Sequence, residues 1–300
     1  MSLNTYKHRV VRDLAWVIAS PPLISGDFEG NHKKNKPVHF LTHEECLQEL
    51  SDCSTALHQL DHDPSPLLTH LDKLKSKRLG YRFEAFIAYW LQISPNFKLL
   101  AHNIQIIENK MTLGEVDFII KNQHSHKIIH LEVAVKFYLG TSPLDNAFRW
   151  FGTNTHDQLG SKQQHLLHHQ TQLSLKYPQH LNHKIDQRHC LLKGRLFYPY
   201  GTQISPSTAT SNHLRGFWIK QSDVNKEASL KNKLLFRLEK NEWLSTLQHL
   251  DLQIKEDVKS ISNNDTAQCY IVVEKDKENS SLKETERIFI LPDNFKFPDF

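Results

Sequence analysis

The stretches GEVDFII (residues 114–120) and HLEVAVKF (residues 130–137) decide how this chain is expected to fold. Both alternate polar and apolar side chains, which predicts two β-strands joined by a short turn. Successive strand side chains point to opposite faces, so a hairpin brings the polar faces carrying Asp117 and Glu132 side by side. Two carboxylates placed there are costly to bury unless a cation compensates for their charge. The pair therefore predicts a Mg²⁺ or Mn²⁺ site built on carboxylate oxygens, water and phosphate.

Apolar periodicity predicts the other elements of the chain. Helices are predicted over residues 5–20, 42–60, 67–74, 81–93, 155–176 and 240–251. Strands are predicted over residues 97–108, 112–121, 127–138, 190–198, 214–220, 268–274 and 287–291, with an exposed loop at 30–36 and a charged turn at 275–286. The first three strands predict a β-meander after a long helix. We therefore predict an α/β fold with a mixed central sheet flanked by helices, a helical N-terminal region over 1–75, and a core with a mixed C-terminal extension over 76–300.

Composition limits the class of protein. Of the 300 residues, 39% are apolar and 23% are charged, which is ordinary for a folded globular protein. The net charge of +4 permits a nucleic-acid partner without requiring one, and no feature names a protein partner. The 4 cysteines form no CxxC pair, which disfavours a disulfide framework and fits a reducing cytoplasm. No segment approaches the ~20 apolar residues that span a bilayer, so a cytoplasmic protein without a membrane partner is expected.

The order of the acidic residues resembles the PD-(D/E)xK nuclease superfamily. Its signature is a Glu on a helix, an Asp on one strand, and (D/E)xK on the next strand. Glu84 matches the helix Glu, Asp117 the strand Asp, and Glu132 the acidic residue of the last motif. Ala134 occupies the position of the motif lysine, and Lys136 is the next residue on the same strand face. The resemblance implies a restriction-endonuclease-like core.

A second resemblance covers most of the chain. The segment LEVAVKFYL (131–139), followed by WFGTNTHDQLGSKQQHLLHHQ (150–170), is similar to the bacterial domain-of-unknown-function family 1853, which is placed with the PD-(D/E)xK folds. This resemblance implies a fold rather than a particular reaction. Its second half is carried by Trp150, Gly152, Asn154, Asp157, Leu159, Lys162, Leu166 and Gln170.

Phosphodiester hydrolysis would give each candidate a role. Asp117 and Glu132 would hold the metal ion, which polarises a phosphoryl oxygen and lowers the pKa of a bound water. Lys136 would orient that water or stabilise the transition state, and Glu84 would anchor a metal-bound water or a second ion. Contacts to nucleic-acid phosphate are predicted for two side chains that follow, Lys162 and Gln158.

Three functions stay open from the sequence. The first is a metal-dependent nuclease acting on DNA or RNA. The second is a nucleic-acid-binding protein without turnover, which the displaced lysine favours. The third is a scaffold in which the buried acids only pair with arginines such as Arg82 or Arg149. A zinc site at His165 and His169 has suitable spacing on a helix, but it lacks an evident third ligand.

Overall fold

A computed structural model describes residues 5–27, 31, 37–231, 233–255, 265–276 and 280–299. The helices within them are α1 Arg9–Ala19, α2 His43–Asp52, α3 Ser54–His62, α4 Ser65–Asp72, α5 Leu79–Ile93, α6 Leu159–His168, α7 Leu173–Lys176 and α8 His249–Gln253. The strands are β1 His39–Phe40, β2 Phe97–Glu108, β3 Met111–Asn122, β4 Ile128–Gly140, β5 Trp150–Phe151, β6 Gln187–Pro199, β7 Arg215–Lys220, β8 Leu234–Arg237, β9 Gln268–Lys275 and β10 Leu282–Leu291.

The strands form one mixed sheet, which confirms the predicted α/β architecture. Within the described ranges it has 10 strands, with the main order β2-β3-β4-β6-β7-β10-β9-β8, while β1 pairs with β6 and β5 with β4. Strands β2, β3 and β4 are the predicted antiparallel meander. Strand β6 then lies parallel to β4. A parallel neighbour requires a long crossover, and the segment between β4 and β6 supplies it with α6 and α7.

Two apolar clusters cover the two faces of the sheet. One joins the N-terminal helices to β4 through Phe83, Leu131 and Val133. The other joins α6 to the opposite face of β4 through Leu166 and Tyr138. The alternation along β4 is the one that its sequence predicts, because odd and even positions point to different faces. Since α1 and α5 share the first cluster, the N-terminal helices pack directly on the sheet, and the division near residue 75 stays a prediction.

Most predicted helices are present with different ends. The predicted helix over 42–60 is divided into α2 and α3, which meet at Cys53. A capping box opens α2, because Thr42 Oγ1 accepts from Glu45 N at 3.2 Å and Glu45 Oε2 accepts from Thr42 N at 2.7 Å. The predicted loop at 30–36 lies outside the described residues except for Asn31, which is buried. None of the helices in the described segments is long and apolar enough to cross a bilayer.

The predicted helix over 240–251 is wrong. A 3₁₀ turn at Lys240–Glu242 and the short helix α8 replace it. Each begins with its own capping box, so the chain starts a new helix instead of continuing one. Leu244 and Leu247 are buried in the irregular segment between them, which explains the apolar pattern that predicted a helix.

Two features of the C-terminal sheet were also missed. Strand β8 was not predicted, because its run of strand-like residues is short. The charged turn predicted over 275–286 ends earlier than expected, since β10 begins at Leu282. Charged side chains are tolerated in this strand because Glu284 forms an ion pair with Arg287 at 2.6 Å.

Candidate functional site

The site lies where β3 and β4 separate. Their ladder ends at the pair Phe118 and Leu131. The next residues are Asp117 and Glu132, so the strands splay apart at the two acidic side chains. Val133 N donates to Asp117 Oδ2 at 2.9 Å, and Asp117 N lies 3.4 Å from Glu132 Oε1. Carboxylates thus occupy hydrogen-bonding positions that backbone carbonyls would fill in a continuous sheet.

A cleft of about 220 Å³ opens beside this point. Two acidic side chains line it, Glu84 from α5 and Asp117 from β3. Two basic side chains also line it, Lys136 from β4 and Lys162 from α6. The remaining lining residues are Gly80, Phe83, Val133, Ala134, Val135 and Gln170. Four of the six residues predicted for the site therefore line one cavity.

The two carboxyl groups in the cleft resist ionisation. Burial, followed by the charge of Glu132, raises the pKa of Asp117 to about 7. Burial, followed by the charge of Asp117, raises the pKa of Glu84 to about 7. In the described part of the chain, neither carboxylate has an ion-pair partner. Like charges that share a cleft without such a partner favour a bound proton or a bound cation.

Glu132 lies next to Asp117 but is not among the residues that line the cleft. It is fully buried, with Oε1 2.6 Å from His130 Nε2 and Oε2 accepting from Gln170 Nε2 at 2.9 Å. Burial lowers the pKa of His130 to about 4, so this contact is a hydrogen bond to a neutral imidazole near pH 7. Burial also raises the pKa of Glu132 to about 7. Both of its oxygens are therefore engaged by protein groups.

The two lysines of the cleft differ in their partners. Lys136 Nζ donates to Asp157 Oδ2 at 2.6 Å, and Tyr138 OH donates to Asp157 Oδ1 at 3.1 Å. Lys162 Nζ donates to Gln170 Oε1 at 2.7 Å and, within the described residues, makes no ion pair. Burial, followed by the charge of Lys136, lowers the pKa of Lys162. Lys162 is thus half-buried rather than a plain exposed lysine, and its ammonium has no carboxylate partner among the residues described.

Gln158 is placed away from this cleft. Its Nε2 donates to the carbonyl oxygen of Phe148, and its Oε1 accepts from Ser161 Oγ at 2.7 Å. It stands immediately before α6, and its side chain makes no capping hydrogen bond to that helix. Its predicted contact with nucleic acid stays a prediction.

Two residues that the sequence did not single out for the site connect its parts. Gln170 donates to Glu132 and accepts from Lys162, so its side-chain amide bridges the carboxylate of Glu132 and the ammonium of Lys162. The predicted uninterrupted helix over 155–176 concealed this contact, because α6 ends at His168 and a 3₁₀ turn at Gln170–Gln172 redirects the chain. His130 was detectable, since it is the neighbour of Glu132 on the same strand face.

A hydrated divalent ion fits part of this donor set. No group of three or more His, Cys, Asp or Glu side chains arranged to hold a metal occurs among the described residues. Mg²⁺, however, often binds through one or two carboxylates and completes its shell with water and substrate phosphate. The carboxylate of Glu84 accepts no hydrogen bond within the described segments, whereas the carboxyl groups of Asp117 and Glu132 are close enough for a side-chain hydrogen bond to each other. The arrangement of His165 and His169 gives no support to a zinc site, because their rings stack on each other with centroids 4.6 Å apart.

Comparison with known proteins shows the family. The model of a family described as Domain of unknown function (DUF1853) matches residues 12–291. This chain belongs to the DUF1853 family. The match covers the N-terminal helices, the splayed strands and the C-terminal strands alike, so the DUF1853 unit contains every residue of the cleft. No curated protein and no solved structure gives a significant match.

Proposed function

We propose that this protein hydrolyses phosphodiester bonds in DNA or RNA with the help of Mg²⁺ or Mn²⁺, on a core of the PD-(D/E)xK nuclease type. The supporting observation is the splayed end of the β3–β4 ladder, where Asp117 and Glu84 face one cleft without an ion-pair partner among the described residues. A bacterial origin and a cytoplasmic location belong to the same proposal.

The residues of the cleft divide the chemistry between them. Asp117 and Glu84 would hold the ion, which supplies a polarised phosphoryl oxygen and a water of lowered pKa. Lys162 donates to a non-bridging phosphate oxygen and stabilises the negative charge that develops there. Gln170 keeps Lys162 in position, and Glu132 in turn fixes Gln170.

Lys162 is assigned the task of the motif lysine. Ala134 stands at the motif position on β4 and supplies no cation there, and the ammonium of Lys136 is paired with Asp157. Lys162 reaches the same cleft from α6, and its charge partly opposes the rise in the pKa of Asp117 that burial and Glu132 cause. A cation supplied from the crossover helix can stabilise phosphate as well as one supplied from the strand, because its effect depends on distance and not on chain position.

The test is cleavage of labelled single-stranded and double-stranded DNA and RNA by purified protein. Reactions with Mg²⁺ or Mn²⁺ are compared with reactions in a chelator, and wild type is compared with Asp117→Asn and Lys162→Met. Asp223→Asn is the matched control, since Asp223 lies on a surface turn and pairs with Lys226. We expect metal-dependent cleavage that both site variants lose and the control retains. Cleavage that persists in both site variants would refute the site.

A nucleic-acid-binding protein without turnover is the second candidate. It is favoured by the engagement of both Glu132 oxygens and by the lack, among the described residues, of a three-ligand metal group. This candidate predicts salt-sensitive binding that does not change when the metal ion is removed. Binding of that kind in the absence of cleavage with any metal would select it over the hydrolase.

A further inference from the structure

A second cavity, of about 200 Å³, adjoins the cleft on the other side of Glu84. It lies between α5 and the β2–β3 pair, and Glu84 lines both cavities. Its lining includes His70, Lys73, Tyr81, Ala85, His102 and Phe118. Glu84 is therefore the shared wall between the acidic cleft and a neighbouring, mostly uncharged space.

One wall of this second cavity is a face of α5. Tyr81, Glu84, Ala85 and Ala88 follow one another at helical spacing, so they lie along the same side of the helix. The two alanines are short and almost fully buried, so they form part of the cavity floor and not an exposed surface. Tyr81 stands at one end of this floor with 49% of its surface exposed. An exposed aromatic ring beside an apolar floor is a surface suited to another planar group.

The opposite wall comes from the sheet. The ring of His102 is exposed and lies over Phe118, with ring planes 20° apart and centroids 6.1 Å apart. His70 adds an aromatic ring to the helical wall of the cavity. Its Nε2 lies 3.0 Å from the carbonyl oxygen of Ala85, and its ring contacts Tyr89. Lys73 is exposed at the rim. The space thus has aromatic groups on two sides and a cation at its edge.

We propose that this cavity binds one unpaired nucleobase of the substrate strand, next to the phosphate in the acidic cleft. The inference rests on the proposed function and deepens it, because it names single-stranded nucleic acid as the substrate class. Unpaired bases stack on Tyr and His rings, whereas bases in a duplex are already paired and stacked. Lys73 and Lys162 lie on either side of Glu84, where they suit consecutive phosphates of one strand.

The test measures binding in a chelator, so that no cleavage takes place. Fluorescence anisotropy compares a labelled oligothymidylate with a labelled duplex of equal length, for wild type, Tyr81→Leu and Tyr81→Phe. Because a base stacked on an aromatic ring loses that contact with Leu, we expect Tyr81→Leu to weaken single-strand binding by about 5- to 100-fold. Tyr81→Phe keeps the ring and should bind within about twofold of wild type. Leu47→Ala, which alters an exposed apolar side chain on α2 outside both cavities, should change nothing.

A small phosphodiester without a nucleobase, methyl p-nitrophenyl phosphate, separates the two proposals. With Mn²⁺ present, wild type should hydrolyse it, because hydrolysis in the acidic cleft does not require a base in the second cavity. Hydrolysis of this diester together with equal binding of single strand and duplex, or with single-strand binding unaffected by Tyr81→Leu, would overturn the nucleobase site and leave the hydrolase standing. Tyr81-dependent binding of single strands with no hydrolysis of any diester would support the nucleobase site and overturn the hydrolase.

Discussion

Two regions bury charged side chains and balance them differently. One is the acidic cleft, and the other is the junction between α1 and the C-terminal strands, formed by Asp13, Ser245, Glu284 and Arg287. At the junction, Arg287 Nε donates to Glu284 Oε1 at 2.6 Å, and both side chains are almost fully buried. Burial would lower the pKa of Arg287, but the charge of Glu284 reverses this and raises it. In the cleft, by contrast, Asp117 and Glu84 have no such partner among the described residues.

A raised carboxyl pKa does not by itself distinguish the two regions. Burial also raises the pKa of Asp13 at the junction. Asp13 nevertheless accepts from Ser245 Oγ at 2.7 Å and has Arg82 at 3.8 Å, and it lines neither of the two cavities around Glu84. Asp117 combines a raised pKa with an open cavity and a lysine without an ion pair in the described segments. The buried acids of the junction are thus paired with arginines of the chain, whereas those of the cleft have no ion-pair partner in the described segments.

The largest effect is expected at the junction. Arg287→Met leaves Glu284 buried without its partner, and we expect the free energy of unfolding to fall by about 3–5 kcal/mol. The double variant Arg287→Met, Glu284→Met should recover most of this loss, because it removes the unpaired charge as well. Urea unfolding followed by circular dichroism measures both. Lys226→Met, at an exposed ion pair, is the control and should stay within about 0.5 kcal/mol of wild type. A loss at Arg287 no larger than the control's would remove the distinction between the two regions.

The same kind of change in the cleft should have the opposite effect on stability. Asp117→Asn keeps an oxygen that accepts from Val133 N, but it removes a carboxylate whose pKa burial raises to about 7. Cleavage should fall by about 100-fold or more. The free energy of unfolding at pH 8 should rise, on the order of 1 kcal/mol, because the ionised form no longer has to be buried. Parallel cleavage assays and urea unfolding check this, and a destabilised Asp117→Asn protein would indicate that the carboxylate is structural.

The pH dependence sharpens the contrast further. The pKa values of Asp117 and Glu84 are raised from about 4 to about 7, so their contribution to stability is fully present below about pH 4 and is lost progressively as pH rises to 7. A divalent cation should restore it, because it binds the ionised carboxylates. We expect Mn²⁺ to raise the melting temperature by a few degrees at pH 8, on the order of 1 kcal/mol of binding, and hardly at pH 5.5.

Thermal unfolding followed by fluorescence gives this measurement directly. The double variant Asp117→Asn, Glu84→Gln serves as the control and should show no pH-dependent response to Mn²⁺. An equal Mn²⁺ effect in wild type and in the double variant would place the metal elsewhere on the protein.

The fold was largely predictable because its strands alternate strongly. The meander and the faces of β4 follow from side chains such as Leu131 and Glu132, whose polarity changes at every position. The irregular segment around Leu244 was not predictable, because buried leucines in a loop have the same spacing as leucines on a helix. Helix ends were likewise missed where the chain turns through a 3₁₀ segment, as it does at Gln170.

Not all of the predicted site lines the cleft, since Glu132, predicted as a metal ligand beside Asp117, does not. Asp117 and Glu84 are brought together as their positions in the sequence imply. Which lysine stays without a carboxylate depends on Asp157, and its contact with Lys136 crosses from a loop to a strand. No local pattern encodes a contact of that kind. The sequence pattern therefore predicted the catalytic role for Lys136 and only a phosphate contact for Lys162, whereas in the structure Lys136 is the lysine that is paired with a carboxylate.

The smallest effect is expected from the lysine that is already paired. The side chains of Lys136 and Asp157 are 28% and 31% exposed, and a pair of this kind contributes less than about 1 kcal/mol. Lys136→Met should therefore reduce cleavage by less than about tenfold, whereas Lys162→Met should reduce it by about 100-fold. Single-turnover cleavage at saturating protein measures the chemical step for both variants under one condition. The two lysines line the same cleft. If Lys136→Met instead reduced cleavage more than Lys162→Met, Asp157 would have to release Lys136 when substrate binds. Lys136 would then have the catalytic role that the sequence predicted.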